Sequence, residues 1–226
     1  SATRRMPGTP VMPLKVNEIF YSIQGESSFA GRRCVFVRLT GCNLRCSYCD
    51  TRYAYTEGKE MSVAAVVDAV TSFRCPLVEV TGGEPLIQRD SPALIERLEN
   101  MGLTVLLETN GTQDIARIRG RCVRIVDVKC PSRGKKKKND LANLDKLKDD
   151  DELKLVIGDS TDYAYATDIL GRLPERFTKK GTVHLSPAFG RLAPERLADW
   201  ILRDRLDVHL QLQIHKYIWP PTRRGV

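Results

Sequence analysis

The sequence contains no uncharged apolar run of about 18 residues, and its start does not join a cationic stretch to an apolar one. Neither a membrane span nor a secretory signal is expected, so the chain is placed in the cytoplasm. It also lacks a disulfide framework: its seven cysteines are odd in number and, in a reducing compartment, read as metal ligands or core thiols. No second C-x-x-C accompanies the first. At 226 residues it falls short of the about 250 that a complete eight-unit barrel takes. The net charge of +8 is densest in RGKKKKND, Arg133 to Asp140, where no aromatic residue interleaves with the lysines. A solvated loop is the plainer reading; an RNA-binding patch is the rival, and no nucleic acid partner is expected.

What is present alternates. CVFVRLT (Cys34 to Thr40), LVEVTGG (Leu77 to Gly83), LTVLLET (Leu103 to Thr109), VRIVDVK (Val123 to Lys129), ELKLVIG (Glu152 to Gly158) and TVHLSPA (Thr182 to Ala188) read as short strands. Helices fit between them. Ser62 can cap one with a Val63, Val66, Val67 and Val70 stripe; Ser91-Pro92 can start another carrying Leu94, Ile95 and Leu98, ending near Gly102. Thr161 to Arg172 and Pro194 to Arg203 are two more. The expected fold is α/β, a partial, TIM-like β/α barrel of about six parallel strands with outer helices. One domain over 14–221 is expected, with 1–13 as partly an expression scar and partly a disordered lead-in, and 222–226 as a tail. In DVHLQLQIH, Val208, Leu210, Leu212 and Ile214 alternate with polar residues, which reads as a last strand. Its polar face, with His209 and His215, can look into a cavity or out to solvent, and His215 would lie at the strand end where parallel-sheet sites assemble.

GCNLRCSYCDT, Gly41 to Thr51, places Cys42, Cys46 and Cys49 in the first strand-to-helix loop with C-x3-C-x2-C spacing. Three readings compete. A buried helical stripe suits Gly41, Asn43 and Asp50 poorly. Structural zinc wants a fourth ligand, from Cys75, Cys122, Cys130 or a histidine. A 4Fe–4S cube held by three thiolates leaves one iron open to a ligand that chelates through amine and carboxylate, as S-adenosylmethionine can.

The cysteine loop, with Tyr48 before its last cysteine, resembles the signature of the radical S-adenosylmethionine superfamily, and Thr81-Gly-Gly-Glu-Pro85 resembles that family's Gly-Gly-Glu-Pro segment. Asn17 to Phe20, Ile23 to Ser27, Phe36-Val37-Arg38, Cys49-Asp50-Thr51, Glu108 to Thr112, Asp127 to Ser132 and Gln213 to Tyr217 are together similar to the 7-carboxy-7-deazaguanine synthase family. That resemblance implies a homodimer that converts 6-carboxy-5,6,7,8-tetrahydropterin to 7-carboxy-7-deazaguanine and ammonia, on the route to queuosine and other deazapurines. It implies a 4Fe–4S cluster on Cys42, Cys46 and Cys49, S-adenosylmethionine, Mg2+ and an external electron donor such as flavodoxin. A radical hydrogen abstraction at C6 of the pterin would start the ring contraction.

By the same resemblance Ile23, Gln24, Gly25, Glu26, Arg38, Thr81 and His215 would bind substrate, with Glu26 on its guanidine-like edge and Arg38 as a fork on its carboxylate. Thr51 would ligate Mg2+. Tyr48, Cys49, Asp50, Gly83, Lys129 and Ser132 would lie against S-adenosylmethionine. Each has a plainer rival: a hairpin turn for Gln24 to Glu26, an ion pair for Arg38, a helix cap for Thr51, a strand-end charge for Lys129. Cys34, Cys75, Cys122 and Cys130 read as small core residues. Two departures from the family stand out: Arg133 replaces a common second serine, and Thr222 to Val226 extend past Pro220-Pro221, so the tail is not expected to contact substrate. Within the superfamily an activase acting on a partner protein is the rival function; outside it, a zinc-containing RNA-binding module.

Overall fold

The computed structural model describes residues 12–134 and 139–226; the lysine run at 135–138 and most of the expected lead-in lie outside the described residues. The backbone amide of Met12 donates to Asp90 Oδ2 at 2.7 Å. The chain opens with strand β1 (Leu14–Ile23), which turns back antiparallel as β2 (Arg33–Leu39). Gln24 closes that hairpin through two backbone bonds, to Arg32 O and from Gly31 N, both 2.8 Å. A short strand, β3 (Lys59–Met61), pairs with the outer edge of β1 and precedes helix α1 (Val63–Ser72). Ser62 Oγ caps α1 by accepting from Ala65 N at 3.1 Å, and Val66, Val67 and Val70 are buried.

From β2 onward the sheet is parallel. β4 (Leu77–Gly82) is followed by helix α2 (Ser91–Asn100), β5 (Thr104–Thr109), β6 (Val123–Asp127) and β7 (Glu152–Ile157). Helix α3 (Ser160–Leu170), a short α4 (Glu175–Lys180), strand β8 (Thr182–Pro187) and helix α5 (Pro194–Asp204) complete the alternation. The six parallel strands expected from sequence are β2, β4, β5, β6, β7 and β8, and the partial barrel they build matches the expected fold. Two further strands, β1 and β3, were not expected as strands.

The last strand is much shorter than its alternation suggests. β9 comprises only His209–Leu210, parallel to β8, and Leu210 is 40% exposed. One more bond, Gln211 N to Leu185 O, continues the pairing, and the chain then crosses to the β1–β2 hairpin, where Ile214 N donates to Gly25 O at 3.0 Å. At this edge no further strand among the described residues pairs with the segment, although Val208 packs against the core. His215 therefore opens a short helix, α6 (His215–Ile218), instead of ending a strand.

Register divides the sheet into two unlike faces. Val35, Val78 and Val105 align across β2, β4 and β5, as do Val126, Leu153 and Val183 across β6, β7 and β8, and all six are buried in the core. The other face carries Glu18 opposite Arg38, Arg38 opposite Thr81, Asp127 opposite Lys154, and Lys154 opposite His184. These polar side chains cannot be tolerated on a helix-covered face. They line the concave side, where a ligand and loops can meet them. No helix among the described residues is long and apolar enough to cross a membrane.

Candidate active site

The cysteine loop leaves β2 at Gly41, whose φ of +99° suits glycine. Leu44, 2% exposed, anchors it, and Arg45 Nη1 ties it by donating to Cys42 O at 2.8 Å and Leu44 O at 2.6 Å. Cys42, Cys46 and Cys49 are unpaired and half-buried. Cys42 Sγ already accepts from Leu44 N at 3.4 Å and faces Asn110 Nδ2 at 3.9 Å, donors of the kind that support a metal-bound thiolate. In the free chain, burial pushes the Cys42 and Cys46 thiols up.

Among the described residues no three His, Cys, Asp or Glu side chains converge on a position for a single ion. A 4Fe–4S cube takes one thiolate at each of three corners, and Cys42, Cys46 and Cys49 are the three unpaired thiols that line the cleft. Cys34, Cys75, Cys122 and Cys130 are buried in the core. The Gly82-Gly83 pair brings β4 hard against this loop. A Cβ on Gly83 would stand 2.3 Å from Gly41 O and 2.6 Å from Cys42 Cβ. Next to it, the fully buried Glu84 accepts from Leu86 N at 3.0 Å, Thr109 Oγ1 at 2.8 Å and Asn110 N at 2.7 Å, locking the loops after β4 and β5 together. Both features are written in the quoted Gly-Gly-Glu-Pro and Glu-Thr-Asn-Gly-Thr segments.

The cysteine loop and the polar sheet face enclose one cleft of about 230 Å³. Ile23, Gln24, Gly25, Glu26, Arg38, Thr81 and His215 line it, as do Cys42, Cys46, Tyr48, Cys49, Asp50, Thr51, Gly83 and Lys129. Ser132 does not: its amide donates to Asp162 Oδ1 at 2.8 Å, and its hydroxyl to the same carboxylate. Val226 does line the cleft, and Arg224 lies 3.8 Å from the Tyr53 ring, so the tail reaches the site against expectation.

Arg38 serves as both ion pair and free fork. Its Nε donates to Glu18 Oε1 at 2.7 Å, an oxygen that also accepts from the Tyr53 hydroxyl at 2.9 Å. No hydrogen bond among the described residues uses its Nη atoms. Thr51 precedes a short turn over Arg52–Tyr55, yet its side chain makes no capping bond; its hydroxyl lies 3.7 Å from Cys49 Sγ, leaving oxygen lone pairs for a hard cation. Lys129 is not a solvated strand-end charge: it is half-buried in the cleft and paired with Asp127.

Across the cleft, Glu26 accepts from Gln213 Nε2 at 2.7 Å and pairs with Lys154. Burial works against that carboxylate, but the Lys154 charge prevails and takes its pKa to about 2. Glu79, which accepts from Gln24 Nε2, makes no direct ion pair among the described residues: burial, then the Glu108 charge, pushes it up to about 8. His215 is held below its usual range by burial and is neutral at pH 7. Lys216 pairs with Asp50 at 2.7 Å across the mouth. The Tyr48 hydroxyl and Asp127 Oδ1 are buried with no partner among the described residues, and both residues line the cleft. Glu79 and Lys154 escaped the sequence analysis. Their signal was there, as charged residues at alternate positions of otherwise apolar strands.

A sheet of this kind, with three cysteines in its first parallel loop and glycines beneath them, defines a radical S-adenosylmethionine protein, and residues 36–127 match the Radical SAM superfamily. The chain is 45% identical over 217 residues to the 7-carboxy-7-deazaguanine synthase of Chlorobaculum tepidum, covering 95% of this chain and 98% of that one. With the enzyme of the same name from Koribacter versatilis it shares 43% identity over 227 residues, 94% of this chain and 100% of the other. It belongs to the 7-carboxy-7-deazaguanine synthase family. The crystal structure of QueE from Escherichia coli has the same fold, with a TM-score of 0.71 at 23% identity over 88% of this chain and 93% of that one. Membership in the superfamily implies a 4Fe–4S cluster and S-adenosylmethionine.

Proposed function

We propose that the chain converts 6-carboxy-5,6,7,8-tetrahydropterin to 7-carboxy-7-deazaguanine with loss of ammonia, in the cytoplasm, as a homodimer that uses Mg2+ and an external electron donor such as flavodoxin. One observation carries this reading: a free guanidinium fork (Arg38), an anionic carboxylate (Glu26) and three unpaired cysteines face a single cleft. A carboxylated heterocycle with a guanidine-like edge presents the complementary groups.

Cys42, Cys46 and Cys49 would hold the cluster, which with S-adenosylmethionine supplies one-electron, hydrogen-abstracting chemistry. The chain itself binds, orients and excludes water. The Arg38 Nη groups grip the substrate carboxylate from both sides. Glu26 accepts from the opposite edge, since two of its about four acceptor positions remain after Gln213 and Lys154. Neutral His215 can donate and accept over the ring, beside Ile23, Gln24 and Gly25, and Thr81 contributes a hydroxyl. Thr51 offers Mg2+ a hard oxygen, and the ion would orient the carboxylate. Tyr48, Asp50, Gly83 and Lys129 form the S-adenosylmethionine side, with Ser132 steadying the adjacent loop through Asp162. Segment 213–216 roofs the cleft against solvent.

Anaerobic reconstitution with iron and sulfide, then mass spectrometry of a mixture with the pterin, S-adenosylmethionine, dithionite and Mg2+, tests the reading. Product and deoxyadenosine should both form. Deoxyadenosine without consumption of the pterin would assign another radical reaction, such as activation of a partner protein. A colourless, zinc-loaded protein with salt-dependent RNA binding would overturn the family chemistry altogether.

A further inference from the structure

We propose that Lys154 is a positioning residue of this cleft: its ammonium pins Glu26 to the centre of the sheet as a permanent carboxylate acceptor for N–H donors on one edge of the bound heterocycle. The inference rests on the reading of the cleft as a pterin pocket, and it concerns a residue outside the segments that carry the family resemblance.

Lys154 lies in the middle of β7 with its side chain 6% exposed. Its Nζ pairs with Glu26 in the hairpin loop and with Glu108 Oε1 of β5 at 2.9 Å, and stands 4.0 Å from Asp127 Oδ2 of β6. One cation thus joins three elements that are remote in sequence. Through Glu26 it also reaches a fourth, because Gln213 of the roofing segment donates to the same carboxylate. Glu108 in turn accepts from the Thr81 hydroxyl at 3.3 Å, so a second expected substrate contact is oriented by the same network.

A buried ammonium is strongly disfavoured unless carboxylates surround it, and here the partners hold it charged well above its usual range. Glu26 is the beneficiary. The other groups near it are His215 and, from Lys154 outward, Asp127 with its own partner Lys129. Protonated Glu79 stands alongside, and the Asp50–Lys216 pair closes the mouth. Of the cations, Lys154 pairs with the Glu26 carboxylate directly. Glu79, a carboxyl in the same cleft whose side chain has no such pairing, stays protonated to about 8. Lys154 also acts on Glu79, but from outside direct contact, and there burial and the Glu108 charge prevail.

Lys154→Met tests this in the reconstituted full chain, with 6-carboxypterin as the fluorescent probe and carboxyl-13C glutamate NMR as a second readout. The variant should bind the probe about tenfold or more weakly at pH 7, the scale of one charge-assisted hydrogen bond. Its Glu26 resonance should titrate above about pH 5, where the parent carboxyl is fully ionised. Lys154→Arg, which keeps the cation, should leave Glu26 ionised, and it carries the test should the methionine variant not fold. Added to Glu26→Gln, Lys154→Met should cost little further affinity, because both act through one carboxylate. Unchanged affinity, or a Glu26 still ionised at pH 5 in Lys154→Met, would overturn the assignment. A parent that ignores the probe while Glu26 shifts in the variant would sink the pterin reading and leave the positioning role standing.

Discussion

A Cβ added to Gly25 would stand 2.1 Å from Nδ1 of His215. The hairpin loop near the start of the chain and the segment near its end thus interlock at a position where any Cβ must displace the His215 side chain, with Ile214 N bonded to Gly25 O alongside. Gly25→Ala should push the His215 ring away and open the roof. The expected cost is about 1–3 kcal/mol in stability, as for other overpacked sites, with a larger loss in pterin affinity. Melting curves and fluorescence titration separate the two, and a variant with parental affinity would show that the roof does not touch the ligand.

The cysteine assignment is tested by iron content. Cys46→Ala should abolish iron–sulfur loading and deoxyadenosine formation together. Cys34 and Cys130 are fully buried in the core. Cys130→Ala should keep its iron and lose stability alone, by roughly 1–2 kcal/mol as a small buried side chain. Iron per chain after anaerobic desalting decides it, and full loading of Cys46→Ala would remove that residue from the ligand set.

For Arg38 the prediction turns on shape as well as charge. Arg38→Ala should weaken binding of the carboxylated pterin by roughly 1.5–3 kcal/mol. Arg38→Lys should recover only part of this, since an ammonium cannot form a parallel pair of bonds to a carboxylate. A pterin without the carboxylate should bind parent and variants alike. If all three proteins bind the carboxylated form equally, Arg38 is simply the partner of Glu18.

Glu79 gives a pH prediction. Its carboxyl ionises at 4.5 when unfolded and at about 8 in the native cleft. Between those values the native state keeps a proton that the unfolded chain has released, so raising the pH favours unfolding. The slope contributed is at most about 1.4 kcal/mol per pH unit and fades above about pH 8. Glu79→Gln, neutral throughout, should flatten urea midpoints across pH 5 to 8. A parent and variant with parallel profiles would mean that Glu79 is already ionised at neutral pH.

Much of this site was legible in the chain because its parts are local. Cys42, Cys46 and Cys49 share one loop, and Gly82 and Gly83 sit at the end of one strand, so short spacing alone brings each set together. The six parallel strands announced themselves through runs of valine, isoleucine and leucine, whose buried face lies against the helices. What the sequence left hidden concerns partners chosen over long separations. The alternation after Asp207 looked like a strand, yet a strand needs a neighbour, and past Gln211 the sheet offers none. Ser132 sits in a motif, yet its hydroxyl is claimed by Asp162, 30 residues away in sequence.

By itself, then, the order of residues determined the thiol triad, the glycine pair and the alternation of strand and helix, because spacing and hydrophobic periodicity act over a few residues. Only the tertiary structure decided which charges survive in the cleft. Glu26 and Glu79 are both glutamates lining the same cleft; one pairs with Lys154 and stays ionised, the other does not and keeps its proton. That difference arises from the fold, which brings Glu26 into direct contact with a cation 128 residues away and leaves Glu79 beside Glu108 with desolvation prevailing.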